Sequence, residues 1–214
     1  MARTIRGVLV AAVLAGLFVS GAGADEPKGG KAGPPGTPLA VTITGKAKYA
    51  FDPGSLSPEA YRKTIEDAAR PDKKLPFGTK LPVPPEVDLV VELKNTSDRP
   101  VTMWANGDPV VLTLTLSGKG AYNLDPPIAM TREFRIPQEI KLDAGKTHAL
   151  PVKMLKSGTR GVTHYGYWTG PGEYELTATL KTGVSPAPKG AQVNDGFGVV
   201  TLTSAPFKLS VEGK

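Results

Sequence analysis

The chain has 214 residues, with 26 Lys and Arg against 20 Asp and Glu, and a formal net charge of +6. It contains 25 glycines, 21 prolines and no cysteine. The lack of cysteine excludes disulfides, a thiol nucleophile, a thiolate metal site and the acylated cysteine of a lipoprotein. The positive charge is mild and scattered, which does not favour nucleic-acid binding. Dispersed glycine and proline favour many short elements separated by turns over long helices.

The first 24 residues have the three-part pattern of a secretory signal peptide. Arg3 and Arg6 precede an uncharged apolar run over Gly7–Ser20, and residues 22–24 (Ala-Gly-Ala) form a small-residue cleavage site. The run is shorter than the ~20 residues that a membrane span needs. We therefore expect cleavage after Ala24, export to the periplasm or the medium, and no membrane span in the mature protein.

The rest of the chain divides into a leader and one domain. Residues 25–38 (DEPKGGKAGPPGTP) are rich in Gly, Pro and Lys and have no apolar pattern, which predicts a flexible leader. Residues 39–214 predict a single β-sandwich domain. Its first strand region begins near Leu39, where apolar and polar residues alternate with period 2 as far as Phe51.

One short helix is predicted over about residues 57–70. Ser57 can cap its free N–H groups, and Pro58 suits the first helical position. Apolar residues recur at i, i+4 and i+7 from Tyr61, which gives the helix one apolar face. Pro71 ends it.

The remaining chain reads as strands joined by turns. Alternation is clearest in the segment that begins at Tyr174, and Asn95–Asp98 is a turn because its polar side chains bond their own backbone. Residues 183–198 are predicted as a long loop, and the last strand is kinked at Pro206. The further predicted strands are Val87–Lys94, Val101–Trp104, Val111–Ser117, Phe134–Leu142, Thr147–Leu155, Tyr174–Lys181 and Val199–Val211.

These elements predict an all-β fold, an antiparallel immunoglobulin-like β-sandwich of about seven to nine strands with one inserted helix. Gly170-Pro171-Gly172 before Tyr174 is typical of a tyrosine corner, in which the hydroxyl bonds nearby backbone. We therefore assign Tyr174 a structural role and not a catalytic one.

No motif indicates an enzyme or a cofactor. His148 and His164 are the only histidines, too few without cysteine for a transition-metal site. The sequence has no G-x-S-x-G elbow, P-loop or H-E-x-x-H. The aromatic residues Tyr165, Tyr167 and Trp168 pack in the core or under the corner, or else form a platform that stacks on sugars. Packing is the favoured interpretation.

Two loops offer the best contact surface if the topology is immunoglobulin-like. The turn at Asn95–Pro100 and the predicted loop at residues 183–198 then lie at one end, as the B–C and F–G loops do. Arg99, Lys189 and Phe197 are the contact candidates there.

Five segments of the chain together carry a resemblance: Val87–Pro100, Tyr167–Thr169, Pro171–Ala178, Ser185–Ala191 and Asp195–Gly198. They resemble uncharacterised exported proteins of planctomycete-type bacteria. The likeness covers most of residues 40–211 and implies a shared domain, but no known activity, substrate or site residue. The early turn Asn95–Asp98 also resembles bacterial immunoglobulin-like modules, including the BsuPI-type proteinase-inhibitor sandwich.

The sequence therefore predicts an exported, non-catalytic binding or structural module of the bacterial cell envelope. Its partner is an envelope protein or a glycan that the sequence does not specify. Two alternatives stay open: a proteinase inhibitor that acts through its end loops, and a carbohydrate-binding module that uses the aromatic platform.

Overall fold

The computed structural model describes residues 36–70, 72, 80–126, 134–159 and 161–213. The predicted signal peptide and most of the predicted leader lie outside these residues. Within them, no helix is long and apolar enough to cross a membrane.

The described residues form fourteen strands and one helix. In chain order these are β1 Leu39–Gly45, β2 Lys48–Ala50, α1 Pro58–Ala68, β3 Glu86–Asn95, β4 Val101–Asn106, β5 Val111–Gly118, β6 Ala121–Leu124, β7 Gln138–Leu142, β8 Thr147–Met154, β9 Lys156–Thr159, β10 Val162–Trp168, β11 Gly172–Ser185, β12 Gln192–Asn194, β13 Phe197–Thr203 and β14 Phe207–Glu212.

The strands form two sheets. The smaller sheet has the order β1-β3-β8 and is antiparallel throughout. The larger sheet has eleven strands and is built around β11. Strand β1 packs against β11 and β13 of the larger sheet, so the two sheets enclose a core between them.

Strand β11 joins four neighbours because it is 14 residues long. On one edge it pairs first with β5 and then with β4, where Ser185 lies opposite Thr102. On the other edge it pairs with β14 and then β13, on either side of the break at residues 204–206. The predicted kink at Pro206 is confirmed, since the chain leaves one strand and starts the next there.

This arrangement confirms the predicted immunoglobulin-like sandwich. The smaller sheet corresponds to strands A, B and E, and the β4/β5, β11 and β13/β14 set corresponds to C, F and G. The strand number exceeds the predicted seven to nine for two reasons. The first and last predicted strand regions are each divided in two, into β1 and β2 and into β13 and β14, and the strands β6, β9, β10 and β12 carry too little alternation to be recognised.

The core follows the alternation read from the sequence. In β3 the side chains of Leu89, Val91 and Leu93 are fully buried, and Leu176 and Leu180 of β11, in the other sheet, belong to the same buried cluster. Burial of such side chains contributes about 1.5–3 kcal/mol each to folding. Since the chain has no disulfide, this packing carries its stability.

Helix α1 is confirmed, with bounds close to those predicted. The Ser57 hydroxyl accepts a hydrogen bond from the Ala60 N–H at 3.2 Å, which caps the helix. Tyr61 and Ile65 are buried on its inner face. The Tyr61 ring lies edge-on to the rings of Phe51 and Tyr167, with centroids 5.8 and 6.5 Å away, so an aromatic cluster joins the helix to the sandwich.

The predicted loop at residues 183–198 is wrong. Strand β11 continues to Ser185, and β12 and β13 form a hairpin around Asp195 and Gly196, both with positive φ. Two central residues of positive φ make the tight turn that a two-residue hairpin requires. Only residues 186–191 are a true loop between strands.

The first part of the predicted strand Phe134–Leu142 is also different. Strand β7 begins at Gln138, and Phe134 and Ile136 lie before it with exposed side chains. The alternation of these two residues indicated a buried face that the fold does not provide.

A strand glycine supplies a stability prediction. A Cβ at Gly183 would stand 2.7 Å from Cδ2 of the Trp104 ring, which Phe197 holds from another side at a centroid distance of 4.8 Å. We expect Gly183→Ala to lower the free energy of unfolding by about 2 kcal/mol through overpacking. Gly166→Ala is the matched control, because its nearest neighbour would be 3.5 Å away. Urea denaturation of both variants measures the difference, and equal midpoints would contradict the close packing.

The aromatic cluster supplies a pH prediction. Burial raises the pKa of Tyr61 to about 12, with the nearby Tyr174 phenol as a second cause. The unfolded chain loses this proton near pH 10, so stability is complete below that pH and falls as pH rises towards 12. We expect Tyr61→Phe to lose less stability than the wild type between pH 9.5 and 11.5 in urea titrations. Parallel losses would show that Tyr61 does not carry the effect.

Candidate functional site

Three connections meet at one end of the sandwich, which we call the loop end. They are the loop 95–100, the turn 143–146 and the loop 186–191. The register requires this meeting, since Val101 lies opposite Leu142 and Thr102 lies opposite both Lys141 and Ser185. The expectation that the loops before β4 and after β11 share an end is therefore confirmed.

The Asn95 side chain fixes the first loop. It is fully buried, and its Nδ2 donates to the carbonyl oxygens of Arg99 at 2.8 Å and Leu142 at 2.9 Å. Its Oδ1 accepts from both the N–H and the hydroxyl of Ser97. The predicted turn at Asn95 is confirmed. We call the four hydrogen bonds of the Asn95 side chain the Asn95 frame, which reaches Leu142, 47 residues along the chain.

The backbone of Asn95 ties the second connection to the first. The Gly145 N–H donates to the Asn95 carbonyl at 3.1 Å, and the Asn95 N–H donates to the Lys146 carbonyl at 2.9 Å. The Lys146 N–H closes its own turn on Asp143. One buried asparagine therefore holds two of the three connections in a single geometry.

The third connection is a tight turn. The Ala191 N–H donates to the Pro188 carbonyl at 3.1 Å, and Gly190 adopts a φ of 81°, which favours glycine at that turn position. Pro188 is buried, and a Cβ at Gly198 would stand 2.8 Å from its Cδ. Lys189 is the exposed residue that the turn presents to solvent.

Two of the three predicted contact residues are exposed at the loop end. Arg99 and Lys189 both face solvent. Phe197 is only 8% exposed and its ring lies on Trp104 at 31°. Phe197 is thus a core residue at the hairpin β12–β13, and its prediction as a contact residue is wrong.

The aromatic platform is also wrong for two of its three members. Tyr167 is fully buried and Trp168 is 3% exposed, so neither ring offers a face to a sugar. Tyr167 donates to the Pro82 carbonyl at 2.8 Å, and the Trp168 ring lies 6.2 Å from that of Tyr174. Tyr165 is half-buried, with the Lys156 ammonium 5.7 Å from its ring centroid. Packing at the corner, the favoured interpretation, is confirmed.

The tyrosine corner itself is present. The Tyr174 hydroxyl donates to the Gly170 carbonyl at 2.7 Å, and the ring is buried. Burial raises the pKa of this hydroxyl, which holds it in the neutral form that donates the bond. Tyr174 therefore has the structural role that the sequence indicated.

The two histidines lie on different strands and have different neighbours. His148 is half-buried on β8, the outer strand of the smaller sheet. His164 Nδ1 lies 2.5 Å from Asp125 Oδ1. Ser157 lies opposite His164 on the neighbouring strand β9. The Ser157 hydroxyl accepts a hydrogen bond from the Leu114 N–H at 2.9 Å. In the described part of the chain, no three His, Cys, Asp or Glu residues are grouped so as to hold a metal ion.

Sequence reasoning missed one surface. Phe134 and Ile136 were assigned to a strand, although they are exposed and lie far from the loop end along β7. The sequence shows their alternation around Arg135, but only the fold shows that their side chains are exposed.

Comparison with models of protein families and with curated proteins gives no match to this chain. The resemblance to exported planctomycete-type proteins stays a prediction.

The Asn95 frame gives a site-specific prediction. Asn95→Asp replaces a double donor by an acceptor that faces two carbonyl oxygens, and we expect a loss of about 3 kcal/mol of stability. Asn106→Asp is the matched control, because Asn106 is exposed and uses only its Oδ1, which accepts the Gly107 N–H. Urea denaturation compares the stability of the two variants. Faster hydrogen exchange of the Ser97 amide in Asn95→Asp locates the effect at the loop. Equal stability of both variants would contradict the frame.

Proposed function

We propose that the protein is an exported, non-catalytic binding module of the cell envelope, and that the loop end is its binding surface. The observation that carries this proposal is the Asn95 frame. A buried side chain with four hydrogen bonds is more than a turn needs, and it holds Arg99 and its loop in one geometry. Loops that are ordered before binding lose less entropy when a partner docks.

Charge and exposure support the same surface. Arg99 and Lys189 project from two separate loops that the register brings to one end. Binding residues commonly lie on loops that a rigid scaffold positions. An envelope protein or a glycan with acidic groups suits two cations held on fixed loops, since fixed charges steer encounter and set orientation.

The two alternatives differ in their support. A carbohydrate module based on Tyr167 and Trp168 is not carried forward, because both rings are buried. A proteinase inhibitor remains a second hypothesis, but no contact favours it. Residues 186–191 form a compact turn around buried Pro188, whereas entry into a protease cleft needs an extended, protruding segment.

Quantitative capture tests the proposal. The protein is produced with its own first 24 residues, so the intact mass of the exported product also reports cleavage after Ala24. Wild type and Arg99→Glu/Lys189→Glu are immobilised and exposed to envelope extract, and bound proteins and glycans are quantified. We expect capture of a defined set of partners to fall at least about tenfold in the variant, since the introduced glutamates repel the acidic groups that the two cations attract.

The control carries the same charge change elsewhere. Lys63→Glu/Lys208→Glu alters exposed lysines on α1 and β14 and should keep full capture. Equal loss in both variants would attribute capture to overall charge, and equal capture by all three proteins would place binding away from the loop end. Stoichiometric inhibition of a protease by wild type, lost in Lys189→Glu, would replace the proposal by the inhibitor hypothesis.

A further inference from the structure

Large apolar side chains are exposed just before β7 and on β10, away from the loop end. Phe134 is 64% exposed, Ile136 is 79% exposed and Val162 is 46% exposed. Arg135, between the first two, lines the same depression of about 540 Å³ as Val162. We call Phe134 and Ile136, with Arg135 between them, the far-end patch, after the end of the β4–β7 pair that lies away from the loop end. Grouped exposed apolar residues commonly mark a docking surface.

The backbone beneath the patch is held firmly. The Arg135 N–H donates to Asp108 Oδ2 at 3.1 Å, and the Asp108 N–H donates to the Arg135 carbonyl at 2.8 Å. Gly107 lies so close that a Cβ there would stand 2.8 Å from the Ile136 carbonyl carbon. The Thr159 hydroxyl bonds Asp108 Oδ1 at 3.5 Å, which ties the segment to β9. The exposed side chains therefore project from a fixed support.

Cations lie next to the patch. Arg135, Lys153 and Lys156 all line the depression. Lys153 is paired with Asp88, and Lys156 lies over the Tyr165 ring. Arg135 makes no ion pair with any residue that the structure describes.

We propose that the far-end patch docks the protein on the surface of an anionic phospholipid membrane. Projecting apolar side chains among lysine and arginine are the two components of peripheral membrane binding, one for the acyl boundary and one for the headgroups. A fluid bilayer receives projecting side chains without a shaped pocket. A protein partner would need hollows matched to Phe134 and Ile136.

The position of the patch follows from the strand register. In the β4–β7 pair, Val101 lies opposite Leu142 at the loop end, while Asn106 lies opposite Gln138 at the other end. The patch precedes Gln138 along the chain, away from Arg99. Since β5 begins with Val111 opposite Lys181, the patch lies on the side of the larger sheet near the middle of β11. The inference does not depend on what the loop end binds.

Vesicle sedimentation tests the proposal with purified protein. Vesicles of phosphatidylcholine with phosphatidylglycerol are compared with vesicles of phosphatidylcholine alone. We expect binding to the anionic vesicles at least about tenfold above the neutral ones, weakened by raising the salt from 0.1 to 0.5 M as screening predicts. Phe134→Ser/Ile136→Ser should lower binding at least about tenfold, because the apolar contribution is lost.

Val193→Ser is the matched control, since Val193 is 60% exposed on β12 and lies outside the patch. It should bind like wild type, and thermal unfolding confirms that each variant is folded. Arg135→Glu should lose binding to anionic vesicles while keeping its stability.

Three results would overturn the proposal. They are no binding to anionic vesicles, equal binding by wild type and Phe134→Ser/Ile136→Ser, or a concentration-dependent dimer in light scattering that the same variant abolishes. The last would assign the patch to a second copy of the chain. Capture by the loop end is measured without lipid and with different variants, so either proposal can fail alone.

Discussion

Strand β11 pairs along both edges at once, and the larger sheet is organised around that pairing. Its start carries Tyr174 and the corner, its middle carries the buried Leu176 and Leu180, and its end passes Trp104 at Gly183 before reaching the loop end. Four neighbouring strands take their register from it. A shift of one residue would turn its buried side chains outward on all of them. In a chain without disulfides, this makes β11 the main determinant of a unique fold.

The loop end is held by complete hydrogen bonding of its buried polar groups. Among the described residues, no buried side-chain nitrogen or oxygen lacks a hydrogen-bond partner. Asn95 is the clearest example, because its amide satisfies both its own groups and the carbonyls of Arg99 and Leu142. Buried polar networks are costly when incomplete and rigid when complete. A complete one beneath Arg99 gives that exposed residue a fixed position that packing of apolar side chains alone would not provide.

Local signals were sufficient where the structure is local. The cap at Ser57 and the corner at Tyr174 each rest on residues within four positions, and both were predictable. The failures share a long-range cause. The sequence around Gly183 indicates a loop, because the Trp104 ring that requires a glycine there is 79 positions away. Phe197 is buried against the same ring, which its neighbours in the sequence do not show. Strand β10 was missed because its run of aromatic residues shows no alternation, although the fold buries Tyr167 and Trp168 together.

The same argument explains how the site was partly predictable. Topology alone brings the loops before β4 and after β11 to one end, so Arg99 and Lys189 could be grouped from an immunoglobulin-like strand order. The sequence could not show which residues hold those loops, since the hydrogen bond from Asn95 to Leu142 joins the two sheets. The β4–β7 pair connects this polar, hydrogen-bonded end to the apolar patch around Phe134 and Ile136. The two ends of the β4–β7 pair therefore differ in chemistry, with hydrogen-bonded loops at one end and exposed apolar side chains next to cations at the other.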